Sequence, residues 1–370
     1  MREEINYKTV IMTNVKLLIG LLSCFLSYNT ASAQIPKGEV AGAELIQFKS
    51  SVNNRDYQLY VKLPTSYFID STKRYPVMYC LDGQWSFPLI MELRNELLYD
   101  NLLTEVIFVG IAWPDNYVTN RNRDFTPTHT AFDSVSGGAA DFLKVVNDEI
   151  ISRINTKYRT DKINNGLLGG SSAGLFVLYT LFQQPSSFNR FIANSPSVEY
   201  DDEWMLKTEK AFAGKHQQLN AKLFITLGGF EETVGPPVYQ NFVSQLKDRK
   251  YKGFEMKDLV IDKTGHLTAA PYAIVRGLQF VFNKPDLTVD TALLKQYAGR
   301  YEQGFNIIYS NHALYVSFGT KRIKMNAETD KKFYIEGANG EIEFKRDEKA
   351  NVNGFQFDGA DAKIYIKKIE

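Results

Sequence analysis

The apolar and polar positions of residues 57–282 fall into two patterns that take turns along the chain. Short apolar or alternating runs, typical of strands, occupy residues 57–63, 75–81, 106–113, 163–168, 191–197, 222–227 and 259–262. Apolar residues at helical spacing, typical of amphipathic helices, occupy residues 85–98, 139–158, 175–182, 239–246 and 267–282. Residues 120–127 are charged and predict a loop. Strands that alternate with helices predict an α/β fold whose mostly parallel sheet is covered on both faces.

The alternation stops near residue 286. The remaining chain consists of short runs rich in Tyr, Phe and Ile, separated by Asn, Gly and Asp, and these predict an antiparallel β module. We therefore expect an α/β domain at residues 34–285 and a C-terminal β module at residues 286–370. The module's one histidine, His312, follows Asn311 in a turn-like pair. We expect an accessory module that packs on the larger domain or binds a glycan or a partner subunit, without chemistry of its own.

The first 33 residues have the pattern of a secretory signal peptide. Lys16 precedes an apolar run at residues 17–26, and Ala31-Ser32-Ala33 provides small residues for cleavage after Ala33. A membrane anchor and lipidation at Cys24 are the alternatives, but about ten apolar residues are too few to span a bilayer. We expect a secreted or periplasmic protein with no integral membrane segment after cleavage.

Composition narrows the possible partners. Of 370 residues, 44% are hydrophobic and 13% aromatic, which is typical of a globular chain. The 43 basic and 42 acidic residues nearly balance, so no basic field attracts nucleic acid. Without residues 1–33 only Cys80 remains of the two cysteines, which leaves no internal disulfide and no cysteine-rich metal site. We expect neither a metal nor a cofactor, and the oligomeric state is open.

A cluster of small residues follows the apolar run that ends at Leu168. Gly170-Ser171-Ser172-Ala173-Gly174 contains the pattern G-x-S-x-G, in which a serine occupies a sharp turn between a strand and a helix. Small residues flank that serine because larger side chains would clash in the turn. The pattern predicts Ser172 as a nucleophile, and a glycine-rich turn without chemistry is the alternative.

A serine nucleophile requires a base and an acid further along the chain. His266 lies between a predicted strand and a predicted helix, where a loop at the catalytic edge of the sheet belongs. Glu231 and Glu232 follow the strand predicted at residues 222–227, and we favour Glu231 as the acid. The backbone N–H groups of Ala173 and Gln84 are the expected oxyanion donors.

Several short segments of the sequence resemble the putative esterase family of α/β-hydrolases, which includes the esterase D type and the siderophore (enterochelin) esterases. They are Leu81-Asp82-Gly83, residues 121–127, the serine turn with its helix, residues 193–197 and Gly265-His266-Leu267. The resemblance covers about residues 40–283. Members often carry Gly-His-Ser-Leu-Gly-Gly where this chain has Gly170-Ser171-Ser172-Ala173-Gly174-Leu175, so the resemblance does not specify the substrate. Some siderophore esterases work with a Ser and His pair, so the resemblance leaves open whether the site uses an acid.

The sequence therefore predicts a secreted serine esterase that forms an acyl-enzyme and acts on siderophore or carbohydrate-linked esters. Trp85, Arg121 and Arg123 are candidate substrate-binding residues, because they fall near the expected catalytic edge. Both arginines have an alternative role, since pairing with Asp124 would pin their own loop. A non-catalytic binding or scaffold protein on a hydrolase fold is the competing interpretation.

Overall fold

The computed structural model describes residues 42–234, 237–318, 320–359 and 363–369. The predicted signal peptide at residues 1–33, with Cys24, lies outside them. Within the described ranges, no helix has the length and apolar character needed to cross a membrane.

The first sheet contains eight strands of the described chain. In chain order they are β1 (Glu44–Lys49), β2 (Asp56–Lys62), β3 (Tyr75–Cys80), β4 (Ile107–Ala112), β5 (Thr160–Gly170), β6 (Arg190–Asn194), β7 (Gln218–Gly228) and β8 (Lys252–Ile261). Their spatial order is β1-β2-β4-β3-β5-β6-β7-β8. The pairs β1–β2 and β2–β4 are antiparallel, and the strands from β4 to β8 in this order are parallel. The predicted mostly parallel sheet is confirmed.

Helices cover both faces of this sheet. They are α1 (Gly83–Tyr99), α2 (Tyr117–Phe125), α3 (Ala139–Lys144), α4 (Ser152–Lys157), α5 (Ser172–Gln183), α6 (Tyr200–Ala213), α7 (Gly229–Val234), α8 (Val238–Arg249) and α9 (Ala270–Val281). Consecutive residues of β4 show why both faces are covered, since side chains alternate across a strand. Val109 packs in a core with Phe142 of α3 and Phe176 of α5, whereas Gly110 lies against Phe87 of α1.

The prediction of a charged loop at residues 120–127 was wrong, because α2 occupies most of it. The helix is polar in sequence but is anchored at its end by Asp124, which is 1% exposed. The Asp124 carboxylate accepts hydrogen bonds from Trp113 Nε1 and Tyr57 Oη, each at 3.0 Å, and from Arg123 Nε at 2.7 Å. Burial raises the pKa of Asp124, and these donors oppose the rise. A buried carboxylate needs such partners, so α2 is fixed by polar contacts that hydrophobic periodicity does not record.

The C-terminal strands form a second, antiparallel sheet in which chain neighbours are also spatial neighbours. After α10 (Thr291–Tyr297) its strands are β9 (Gly299–Arg300), β10 (Asn306–Ser310), β11 (Ala313–Phe318), β12 (Lys321–Ala327), β13 (Lys332–Tyr334), β14 (Gly340–Arg346), β15 (Val352–Gly359) and β16 (Lys363–Lys367). The sheet has its own core, in which Tyr297 and Phe344 stack with ring centroids 4.0 Å apart. The predicted antiparallel β architecture is confirmed.

This second sheet contacts the first part of the chain at the turn that follows α1. Gly337 N–H donates to the Asp100 carbonyl at 2.8 Å, and Asn101 Nδ2 donates to the Ala338 carbonyl at 2.8 Å. Lys284 Nζ bonds to Asn101 Oδ1 at 3.0 Å and to Glu341 Oε1 at 2.7 Å. The turn precedes β4, so the contact lies toward the amino ends of the parallel strands.

We expect Lys284→Ala to lower the free energy of unfolding by about 2 kcal/mol, because it removes a nearly buried cation from two half-buried carboxylates, Glu341 and Glu328. Among the described residues, these carboxylates then keep only their ion pairs with Lys332. The Lys284 side chain is only 9% exposed and pairs with both Glu341 and Glu328. Urea unfolding followed by circular dichroism measures the change. Lys324→Ala is the matched control: its ion pair with Asp286 is half exposed, and its loss should cost less than about 1 kcal/mol. Equal effects of the two variants would contradict this role for Lys284.

Candidate active site

The turn between β5 and α5 is strained at Ser171. Ser171 has φ 59° and ψ −125°, whereas Ser172 is already the first residue of α5. A residue other than glycine adopts positive φ at a cost, and such strain concentrates at functional sites. The expectation that Ser172 occupies the sharp turn was wrong.

The neighbouring glycine explains the one-residue difference. Two overlapping patterns of small residues exist here, Gly169 to Ala173 around Ser171 and Gly170 to Gly174 around Ser172. A Cβ at Gly169 would lie 2.7 Å from the backbone of Ala173, but a Cβ at Gly170 would meet nothing closer than 3.4 Å. The position at which the turn excludes a side chain is thus two residues before Ser171.

Backbone contacts with the end of β6 hold this turn in place. Ser171 N–H donates to the Asn194 carbonyl at 3.0 Å, and the Ser171 carbonyl accepts from Ser197 N–H at 3.2 Å. The Ser171 side chain is thereby presented at the carboxyl ends of β5 and β6, where ligands bind in open α/β sheets.

His266 and Glu231 are brought together by the loops after β8 and β7. Glu231 Oε2 lies 2.6 Å from His266 Nδ1. Because a carboxylate only accepts, Nδ1 carries the proton in this contact and Nε2 is left as the basic nitrogen. Glu232 is not part of this pair, since its carboxylate accepts from Gln240 Nε2 at 3.1 Å.

The second oxygen of Glu231 is also fully engaged. Oε1 accepts from Ser195 Oγ at 2.6 Å and from Gly228 N–H at 2.9 Å. Burial alone would raise the pKa of Glu231, but the hydrogen bonds from Ser195, His266 and Gly228 outweigh burial and hold the pKa below its ordinary value. Glu231 is therefore an ionised carboxylate with a fixed orientation. The sequence did not predict a role for Ser195, although Ser195 lies in the segment 193–197 that resembles the esterase family. Nothing in that segment indicates a contact with Glu231.

Ser171 and His266 line the same cavity, which has a volume of about 510 Å³. Trp85 and Arg121 line it as well. A smaller cavity of about 280 Å³ is also lined by His266 and includes Glu231 and Ser195, but not Ser171. His266 thus borders both cavities, whereas Ser171 lines only the larger one.

Two helices begin beside this cavity. Gln84 is in the first turn of α1, and Ser172 is the first residue of α5. The first N–H groups of a helix have no acceptor within the helix, so they are available to an oxyanion. With Ser171 at the turn, the amide of the next residue belongs to Ser172, which replaces Ala173 as the expected donor.

The two predicted substrate-binding arginines have different surroundings. Arg121 Nε donates to both oxygens of Asp82, at 3.0 and 2.9 Å, and its Nη2 donates to the Gly170 carbonyl at 3.1 Å. Burial raises the pKa of Asp82, and Arg121 opposes the rise. Arg123 makes the alternative contact, an ion pair with Asp124, and is not among the described residues that line either cavity.

Trp85 projects at the mouth of the larger cavity. Its side chain is 52% exposed and meets Tyr117 edge to face, with ring centroids 6.0 Å apart. Of the predicted substrate-binding residues, Trp85 thus offers an exposed aromatic ring to the cavity.

The parallel sheet, the strained serine and the histidine–carboxylate pair define a serine hydrolase of the α/β-hydrolase class. The sequence model of the family described as "Putative esterase" matches residues 50–245, and the chain belongs to this family. It is a carboxylic ester hydrolase.

Known relatives and solved structures agree with this classification. The chain is 24% identical over 280 residues to the ferri-bacillibactin esterase BesA of Bacillus subtilis, covering 67% of this chain and 91% of BesA. Among solved structures, the siderophore hydrolase EstB from Aspergillus nidulans has a TM-score of 0.60 at 19% identity, covering 67% of this chain and 97% of EstB. The BES protein from Bacillus cereus has a TM-score of 0.57 at 22% identity, covering 66% and 97%. At such identities the two structures show the shared fold alone.

Proposed function

We propose that the protein hydrolyses carboxylic esters through an acyl-enzyme, with Ser171 as nucleophile, His266 as base and Glu231 as the acid that orients His266. The contact of 2.6 Å between Glu231 Oε2 and His266 Nδ1, at the rim of the cavity that Ser171 lines, carries this proposal. The strained backbone of Ser171 supports the choice of this serine over Ser172.

In the first step, Ser171 Oγ attacks the ester carbonyl carbon while His266 Nε2 takes the hydroxyl proton. The carbonyl oxygen becomes an oxyanion, and the backbone N–H groups of Ser172 and Gln84 stabilise it. The C–O bond to the alcohol then breaks, and His266 returns the proton to the departing oxygen. Glu231 stays ionised throughout and stabilises the imidazolium.

In the second step, water attacks the acyl-serine ester with His266 again acting as base. The carboxylic acid leaves and Ser171 regains its proton, so the cycle needs no further reactant. The ionised, doubly anchored Glu231 favours one orientation of the imidazole in both steps.

Relatives with siderophore esterase activity in their names make siderophore esters one candidate substrate class, and carbohydrate-linked esters are the other. We propose a secreted or periplasmic location, because residues 16–33 have the signal-peptide pattern. Arg121 is proposed to support the site by holding the Gly170 carbonyl next to Ser171, and Trp85 to contact the substrate.

The acyl-enzyme can be trapped directly. Purified protein mixed with p-nitrophenyl butyrate and quenched in acid within milliseconds should show, by intact-mass spectrometry, a population heavier by one butyryl group. A burst of p-nitrophenol close to one equivalent per protein molecule should accompany it if deacylation limits turnover. Turnover without any acylated protein over a range of quench times would contradict the covalent mechanism, and absence of turnover would favour a non-catalytic binding protein.

A further inference from the structure

The cavity that Ser171 lines is bounded mainly by hydrocarbon. Trp85 and Leu89 come from α1, Val118 from α2, Leu267 from the loop before α9 and Ile274 from α9. Some of these apolar side chains are unusually open to solvent: Val118 is 65% exposed and Leu267 is 82% exposed. Exposed apolar surface around a concave site is typical of a place where an apolar ligand is covered.

The same cavity offers no free positive charge. Among the described residues that line either cavity, Arg121 is the one with a permanent positive charge, and its Nε is bound to both oxygens of Asp82. The smaller cavity, which His266 also borders, is lined by Glu199, Glu231 and Glu232. An anionic substrate would therefore meet a compensated arginine on one side and three carboxylates on the other.

The chemistry of the site decides which part of the ester occupies the larger cavity. The acyl group becomes bonded to Ser171, which lines the larger cavity but not the smaller one. The alcohol must leave beside His266, which borders both cavities. Once bonded to Ser171, the acyl group therefore has to be accommodated by the apolar side chains of the larger cavity.

We propose that the larger cavity is an acyl pocket for large uncharged groups, with Trp85, Val118 and Leu267 as specificity-determining residues. This inference rests on the proposed function of Ser171 and His266, and it separates the candidate substrates by charge. An uncharged aliphatic or aromatic acyl group buries the exposed hydrocarbon of the three residues, whereas an anionic acyl group or an anionic iron complex loses its hydration without gaining a partner.

A series of p-nitrophenyl esters with one leaving group tests the proposal on the full-length wild-type protein. We expect kcat/KM to rise about threefold to fourfold per added methylene from acetate to butyrate to hexanoate, as apolar area is buried. p-Nitrophenyl hemisuccinate should be at least about tenfold poorer than its uncharged methyl ester, which has nearly the same shape. The proposal would be overturned if kcat/KM did not change along the series, or if kcat/KM for the hemisuccinate equalled or exceeded that for its methyl ester.

Trp85→Ala should reduce the ratio of kcat/KM for hexanoate over that for acetate by about tenfold, because a large apolar contact with the longer chain is lost. Phe132→Ala is the matched control, since Phe132 is fully exposed and does not line the described cavities. Its ratio should equal the wild-type ratio. An unchanged ratio in Trp85→Ala, or an equal loss in both variants, would overturn the role of Trp85.

Failure of this inference and failure of the proposed function give different results. If no ester of the series is hydrolysed above the level of the Ser171→Ala variant, the proposed function is wrong. If acetate is hydrolysed through Ser171 but acyl length and charge have no effect, the function stands and the acyl pocket is wrong. A higher kcat/KM for an iron(III) tricatechol trilactone than for any uncharged ester would also overturn the pocket.

Discussion

Ser171→Ala is expected to lower kcat for p-nitrophenyl butyrate by about 10⁴-fold or more, since removal of the nucleophile of a serine hydrolase leaves only binding and oxyanion stabilisation. The substitution removes one oxygen atom and keeps a small residue at the turn. Thermal unfolding should confirm that the variant is folded. A stopped assay with a long incubation is needed to measure so small a rate.

Ser172→Ala provides the matched control one residue away. Its backbone N–H, which is the proposed oxyanion donor, is retained, so kcat should stay within about twofold of wild type. Comparing the two variants therefore shows which of the two adjacent serines is the nucleophile. Loss of activity in Ser172→Ala together with full activity in Ser171→Ala would return the nucleophile to Ser172.

Glu231→Gln is expected to lower kcat/KM by about 10²-fold to 10⁴-fold, because an amide neither stabilises the imidazolium nor fixes the histidine tautomer as a carboxylate does. Ser195 Oγ and Gly228 N–H both donate to Glu231 Oε1. A carboxylate accepts these hydrogen bonds and the one from His266 with either oxygen, whereas an amide must keep its NH₂ group away from all three donors. Steady-state kinetics with p-nitrophenyl butyrate measure the loss.

The neighbouring glutamate supplies the control for this second prediction. Glu232 bonds to Gln240 and is exposed, so Glu232→Gln should cost at least about tenfold less than Glu231→Gln. A larger loss of activity in Glu232→Gln than in Glu231→Gln would assign the acid to Glu232. Small effects of both substitutions would indicate that Ser171 and His266 work as a pair without an acid.

Much of the fold could be predicted because hydrophobic periodicity records burial. The run at residues 106–113 predicted β4, whose residues Ile107–Ala112 are all buried. The edge strand β1 and the helix α6 were missed. The residues of β1 are exposed or half-buried, and the first turn of α6 contains Asp201, Asp202 and Glu203, so neither resembles a buried element in sequence.

Local sequence patterns were enough to propose candidates for the site, but not to choose between adjacent residues. His266 and Glu231 follow predicted strands, but Glu232 follows the same strand as Glu231, so position alone did not decide between the two glutamates. Ser171 and Ser172 both satisfy a pattern of small neighbours, and only the backbone conformation distinguishes them. The contacts of Arg121 with Asp82 and of Ser195 with Glu231 join residues 39 and 36 positions apart, which no local pattern encodes.

Covalent labelling tests the identity of the nucleophile most directly. Wild-type protein treated with a fluorophosphonate and digested should yield a modified peptide containing residues 170–174, and tandem mass spectrometry resolves which of the two serines carries the phosphonate. We expect one label per molecule, on Ser171. Protein that is heat-denatured before the treatment should carry no label. A label on Ser172, or on a serine outside this turn, would contradict the assignment on which the mechanism depends.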